Sequence, residues 1–325
     1  MAYLIMAHDQ PEQLHRLVNV LQCDWAKFYI HIDKKTEIAP FLKLMGHRND
    51  VQFIEARVKA NWMGFSLVQA TMNLMKSAMM GGFDYCTLLS GADYPVKPLQ
   101  DIYSFFDKAE NEYIAFWRLE DRPGWQHKVE YFYLVDKIPI RNYMEKNPEA
   151  YWRRFFWGRF FKYRHLMPKR KFLPGLVPFG GPDWWSLSSS CVKYVLDYVE
   201  KNRKFSNFYR YTSSPGEMFF QTIILNSPYA NKVENSGAYW KWSESRVAGD
   251  EREMLPDEDF NLRYVDWSGE ISGKREAPAV LFEEDWQNIS STKALFARKF
   301  HCKKSLALQN RIDHEIMRQK QDASC

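Results

Sequence analysis

A carboxylate and an ammonium group frame the chemistry this chain could do. Glu217 lies in Ser213-Ser214-Pro215-Gly216-Glu217-Met218-Phe219-Phe220-Gln221-Thr222-Ile223, in the first turn of an expected helix. A carboxylate there can take a proton from an attacking hydroxyl. The same residues have a structural reading: Ser214-Pro215-Gly216-Glu217 matches a capping box, with Pro at the first helical position and Glu at the third. A helix N-terminus favours the ionised carboxylate and weakens it as a base, unless burial against Phe219, Phe220 or a nearby Trp opposes this. Lys299 lies in Leu295-Phe296-Ala297-Arg298-Lys299-Phe300. Arg298 and Lys299 read either as a surface charge pair or as a segment anchored by Phe296 and Phe300 that aims one cation at a diphosphate. Such a cation would offset the charge growing on a leaving group, the work that a divalent metal does elsewhere.

The elements that must position these groups alternate strand and helix signals over the first hundred residues. Tyr3-Leu4-Ile5-Met6-Ala7, Phe28-Tyr29-Ile30-His31-Ile32-Asp33, Val51-Gln52-Phe53-Ile54 and Tyr85-Cys86-Thr87-Leu88-Leu89-Ser90 read as strands. Between them, Leu14, Leu17, Val18 and Leu21 recur at helical spacing after Asp9, a candidate N-cap, and residues 66–80 form a second helix closed by Gly81-Gly82. Apolar strands separated by helices imply a mostly parallel sheet with helices on both faces, and ligands bound at the carboxyl ends of its strands. His8, Asp9, Asp33, Lys34, Ser90 and Asp93 gather there. Asp33 and Asp93 read equally as turn residues or, for Asp33, as an acceptor for a nucleoside at the strand tip. Residues 183–188 resume a strand, 192–202 a helix and 305–319 a charged terminal helix. From Pro228 onward the chain is otherwise mainly loop. The expectation is one domain over 1–325, with a nucleotide-binding half over 1–117 and an acceptor-binding, catalytic half over 118–325.

Composition narrows the partners. The chain has 12 Trp and 18 Tyr; flat rings fill cores and also match the C–H face of a sugar. The net charge of +5 suits a small polyanionic substrate or an acidic membrane surface, and no nucleic-acid motif accompanies it. The segment 152–172 interleaves Arg and Lys with Trp, Phe and Tyr, either as a basic face over an aromatic core or as a peripheral contact with an anionic membrane. Five scattered cysteines show no metal-ligand spacing and fit a reducing compartment. No cleavable leader and no apolar run of about eighteen residues is read in the sequence, so the expectation is a cytoplasmic protein without a membrane-spanning helix, peripheral at most on the inner face of the membrane.

Seven fragments together carry a resemblance. They are Ala2-Tyr3-Leu4-Ile5-Met6-Ala7-His8, Tyr29-Ile30-His31-Ile32-Asp33-Lys34-Lys35, Trp62-Met63-Gly64-Phe65-Ser66-Leu67-Val68-Gln69-Ala70, Leu89-Ser90-Gly91-Ala92-Asp93-Tyr94-Pro95-Val96-Lys97, Trp184-Trp185-Ser186-Leu187, Ser213-Ser214-Pro215-Gly216-Glu217 and Leu295-Phe296-Ala297-Arg298-Lys299-Phe300. In this order the chain resembles the core-2/I-branching β-1,6-N-acetylglucosaminyltransferase family, glycosyltransferase family 14, which includes the peptide O-xylosyltransferases. The resemblance implies an α/β, GT-A-like fold and an inverting transferase that works without a metal or other cofactor. Its donor would be UDP-N-acetylglucosamine, or UDP-xylose as the alternative, and its acceptor a glycan. A protein that kept the fold and only binds carbohydrate is the alternative of another class. Glu217 falls on the catalytic base. Lys299 falls on a diphosphate ligand, with Arg275 as the second and Lys274 and Arg263 as its rivals. Met6, Ala7, His8, Asp33 and Trp62 fall on donor-contacting positions, and Glu120 and Lys128 near acceptor-binding ones. Trp240, with Trp242, is an acceptor platform by residue type alone. Hydrolysis of a glycoside is disfavoured because no second carboxylate is evidently paired with Glu217.

Overall fold

A computed structural model describes residues 1–144, 148–244, 258–268, 275 and 278–317. The central sheet has six strands in the order β3 (Val51–Phe53), β2 (Lys27–Ile32), β1 (Ala2–Ala7), β4 (Tyr85–Ser90), β9 (Trp185–Ser188) and β6 (Tyr113–Ile114). β3, β2, β1 and β4 are parallel, with Ala2 opposite both Lys27 and Cys86. β9 runs antiparallel to β4 and to β6. The architecture is therefore mixed α/β with a mainly parallel sheet.

The pleat decides which core each residue joins. Along β1, Ala2 and Leu4 pack into a core closed by α3 (Phe65–Gly81), α8 (Ser189–Lys201) and α10 (Gly216–Leu225). Tyr3, Ile5 and Ala7 point to the other face, where Leu14, Leu17 and Val18 of α1 (Pro11–Val20), Phe41 and Met45 of α2 (Ala39–Met45) and Ile102 and Phe106 of α4 (Leu99–Asp107) cover them. Helix α1 is not capped by Asp9. Gln10 holds the N-cap position with a left-handed backbone and no side-chain cap bond, and Pro11 opens the helix.

A second sheet carries the C-terminal cations to the same edge. β11 (Phe296–Arg298) pairs in parallel with β10 (Arg263–Val265) and antiparallel with β5 (Asp93–Pro95). Phe296 and Phe300 are both buried, Phe296 under the Tyr3 side of the large sheet and Phe300 against Tyr94. The two rings anchor the segment, as one of the two sequence readings had it. The terminal helical segment runs as Leu306–Ile312 with a wider turn over Asp313–Met317.

Candidate active site

Every residue from Met218 to Leu225 of α10 is buried, so the helix runs through the core, and Glu217 is its single charged side chain. The expected capping box does not form. Pro215 is the N-cap residue and no side chain caps the helix; the carbonyls of Ser214 and Pro215 accept the first N–H groups. Glu217 therefore does not turn back on its own helix. Its Oε2 accepts a hydrogen bond from the Lys128 ammonium at 2.5 Å.

Lys128 belongs to the short α5 (His127–Glu130). Its ammonium also sits 3.4 Å from the centre of the Trp125 ring. Backbone bonds tie this turn to the loop before α10, from Ser213 N–H to the Lys128 carbonyl and from Tyr133 N–H to the Tyr211 carbonyl. Ser214 N–H in turn donates to the Met63 carbonyl, which holds Trp62 near the same loop. Asp136 fixes the start of α3 by accepting from both the N–H and the hydroxyl of Ser66.

A cavity of about 740 Å³ opens at the carboxyl ends of β1 and β4, where an open α/β sheet binds its ligands. Met6, Ala7, His8 and Trp62 line it, as do Asp183, Trp184, Glu217, Arg298 and Lys299. Glu217 and Lys299 thus face one cleft. Trp62 is 54 % exposed, so its ring is available to a ligand at the rim. Arg298 stacks its guanidinium over the Trp184 ring at 4.4 Å. Burial pulls its pKa down, Asp93 and Asp183 oppose this, and a guanidinium remains charged in any case.

Asp183 is the residue the sequence reading missed. Its Oδ1 lies 2.2 Å from where a Cβ on Gly216 would stand, so only glycine admits this carboxylate against the first turn of α10. Two bonds tie this segment to α10: Gly181 N–H donates to the Glu217 carbonyl, and the Gln221 amide donates to the Pro182 carbonyl. Asp183 is partly exposed to the cleft yet surrounded by protein. That desolvation, with the charge of Glu217 beside it, pushes its pKa up from 3.8 to about 7 against the pull of Arg298 and Lys128. Glu217 therefore does have a carboxylate neighbour, contrary to the expectation that set hydrolysis aside.

Other expected site residues fall elsewhere. Arg275 makes a bidentate pair with Asp285 at 2.8 and 2.9 Å and a contact with Asp266 at 3.2 Å, and is not among the residues lining the cleft. Its rival Arg263 does line it, but is 1 % exposed and locked to Asp93 at 2.6 Å; Lys274 lies outside the described residues. Arg298 is the second cation beside Lys299. Asp33 is buried at the tip of β2, accepting from Lys35 N–H at 2.8 Å, behind the lining rather than in it. Glu120 is exposed and paired with Arg118 at 3.1 Å, away from the lining. Trp240 is not among the residues lining the cleft: it packs on Phe116, Phe179 and Tyr239 with Arg118 over its ring. Among the described residues no group of three His, Cys, Asp or Glu side chains is placed to hold a metal.

A family model described as core-2/I-branching enzyme matches residues 1–290. The chain belongs to the core-2/I-branching enzyme family. Among curated proteins it is similar to xylosyltransferase 2 of Rattus norvegicus, 26% identical over 251 residues, which is 74% of this chain and 26% of that protein. Xylosyltransferase 2 of Bos taurus is 22% identical over 326 residues, 97% of this chain and 33% of that protein. Xylosyltransferase oxt of Drosophila melanogaster is 24% identical over 303 residues, 89% of this chain and 30% of that protein. The chain spans about a quarter to a third of the length of the curated relatives it matches. Membership in the core-2/I-branching family is consistent with a GT-A-like reading of the mainly parallel sheet. The family match covers the cleft from Met6 to Glu217 and ends before Arg298 and Lys299.

Proposed function

We propose that the protein is an inverting glycosyltransferase that moves a sugar from a UDP-sugar to a hydroxyl of a glycan. The observation that carries this reading is that Glu217 and the Arg298–Lys299 pair face one cavity from different elements. The acceptor oxygen attacks the anomeric carbon and its proton passes to Glu217. The bond from that carbon to the diphosphate breaks, and the electron pair leaves on UDP, beside Lys299 and Arg298. A single displacement of this kind inverts the anomeric centre. Preorganised cations acting on a developing charge supply the electrostatic part of the catalysis without a metal. Asp183, protonated over much of the range below neutrality, can donate to a sugar hydroxyl.

The family's branching chemistry favours N-acetylglucosamine as the sugar and a β-1,6 linkage. The relatives' names favour xylose at least as strongly, since all of those cited are xylosyltransferases. The Asp183–Glu217 neighbourhood alone would also suit a glycoside hydrolase, but a hydrolase acting on a neutral glycoside has no use for two cations in the same cleft. The test is UDP release from UDP-N-acetylglucosamine and from UDP-xylose, each with and without a panel of glycan acceptors. Acceptor-dependent release with one donor supports the reading and names the sugar. Binding of UDP-sugars without turnover would favour a carbohydrate-binding protein, and glycan cleavage without a nucleotide would favour a hydrolase.

A further inference from the structure

The helix Tyr151–Tyr163 (α7) carries aromatic rings around its whole circumference, interleaved with Arg and Lys, and buries only Trp157 fully. Its inner face carries Phe156, Trp157, Phe160 and Phe161, which pack on Tyr133, Val135 and Ile140; Trp157 is fully buried and its indole N–H donates to the Ile138 carbonyl. The outer face is a separate stripe. Trp152, Phe155, Arg159 and Lys162 follow one another at three- and four-residue steps, Leu166 lies in the turn Arg164–Leu166 that follows the helix, and all five are exposed. Trp152 is 52 %, Phe155 55 % and Leu166 73 % exposed. Cations and rings interleave on this face: Arg153 stands over Trp152 at 5.0 Å, Arg159 over Phe155 at 5.1 Å and Lys162 over Tyr163 at 5.1 Å.

Charge separates this face from the rest of the molecule. Residues 151–171 hold eight Arg or Lys and no Asp or Glu, while the whole chain is only +5, so the remainder is net negative. Some of these are engaged within the protein: Arg164 donates to the Phe161 carbonyl, Arg170 to the carbonyls of Tyr131, Phe208 and Tyr211, and Lys169 pairs with Glu130. Contiguous exposed rings of this size mark an interaction surface.

We propose that the outer face of α7 docks on an anionic lipid bilayer. Trp152, Phe155, Tyr163 and Leu166 enter the headgroup boundary while Arg153, Arg159 and Lys162 meet lipid phosphates. Thirteen residues span about 20 Å, too short to cross a bilayer, and the inner face is already occupied, so the helix lies in the interface plane. A nucleic acid would use the cations and could stack on rings, but gives an exposed Leu166 nothing to pack on; hydrocarbon does. The aromatic core beneath α7 reaches Met63, the neighbour of Trp62 on the cleft rim, so docking holds the cleft beside the membrane surface. The inference does not depend on which sugar is transferred.

The experiment is co-sedimentation of the full chain with vesicles of phosphatidylcholine alone and of phosphatidylcholine with phosphatidylglycerol, at low and high salt. The expected result is salt-sensitive binding to the anionic vesicles only, weakened about tenfold or more in Trp152→Ser/Phe155→Ser/Leu166→Ser and in Arg159→Glu/Lys162→Glu. All five side chains are exposed, so both variants should keep the wild-type circular dichroism and thermal melt. Equal binding to neutral vesicles, no vesicle binding, or unchanged binding in both variants would overturn the proposal. So would a result in which these variants abolish self-association or binding to a short DNA duplex while vesicles are ignored.

Discussion

The carboxylate of Glu217 accepts from the ammonium of Lys128 at 2.5 Å, across 89 residues of sequence. The contact replaces the helix cap that the local sequence offers. Lys128→Met removes that partner. The expected outcome in steady-state kinetics is a kcat lowered by no more than about tenfold, because the base itself remains but loses the bond that holds it in place.

Lys299, which lines the cleft, and Arg275, which does not, make a contrasting pair. Lys299→Ala should lower kcat about 10²-fold or more, since it removes charge that acts on the departing diphosphate. Arg275→Ala should leave kcat within about threefold and act on stability, because its guanidinium is engaged by Asp266 and Asp285. Steady-state kinetics with a saturating donor, alongside thermal melts, separate the two.

Arg263 answers to a different measurement. It lies at 1 % exposure with Asp93 at 0 %, and also donates to the Leu88 carbonyl at 2.9 Å. Arg263→Met leaves the Asp93 charge buried without its partner, and should cost about 3–5 kcal/mol in denaturant unfolding.

Asp183 predicts a pH dependence. Its folded pKa, about 7, exceeds the ordinary 3.8. Between these values the native protein keeps a proton that the unfolded chain releases, so this group's contribution is fully present below about pH 4 and is lost as pH rises toward 7. Asp183→Asn removes the effect. The stability of the variant relative to wild type should rise with pH across that window, by at most about 1.4 kcal/mol per unit, as read from urea unfolding at a series of pH values.

Turnover should survive a chelator, because Lys299 and Arg298 stand where the proposed chemistry would otherwise call for a metal ion. Loss of activity in EDTA with recovery on adding Mn²⁺ or Mg²⁺ would contradict the metal-free step.

The parallel half of the sheet was legible because apolar runs alternating with amphipathic helices have few other solutions. His8 was legible for the same reason, as a residue that follows a parallel strand to its carboxyl edge, whereas Met6 and Ala7 were named only through the family resemblance. Asp183 escaped notice because β9 is antiparallel: there the residue before the strand, not after it, reaches that edge, and direction is not written in a short apolar run. The capping box was misread because a Ser–Glu spacing states only that a cap is sterically available, and it does not register Lys128. Trp240 was taken for a platform by residue type, which cannot tell a ring packed on Phe116 from a ring facing a sugar.

The central claim is that one cleft divides its work between Glu217, which moves the proton, and Lys299, which holds the diphosphate. Calorimetric titration of UDP and steady-state turnover on wild type and Glu217→Gln test it together. The account predicts UDP affinity within about threefold of wild type and a kcat lowered by about 10²–10⁴-fold. A Glu217→Gln protein that turns over at the wild-type rate, or one that loses UDP binding along with activity, would contradict it.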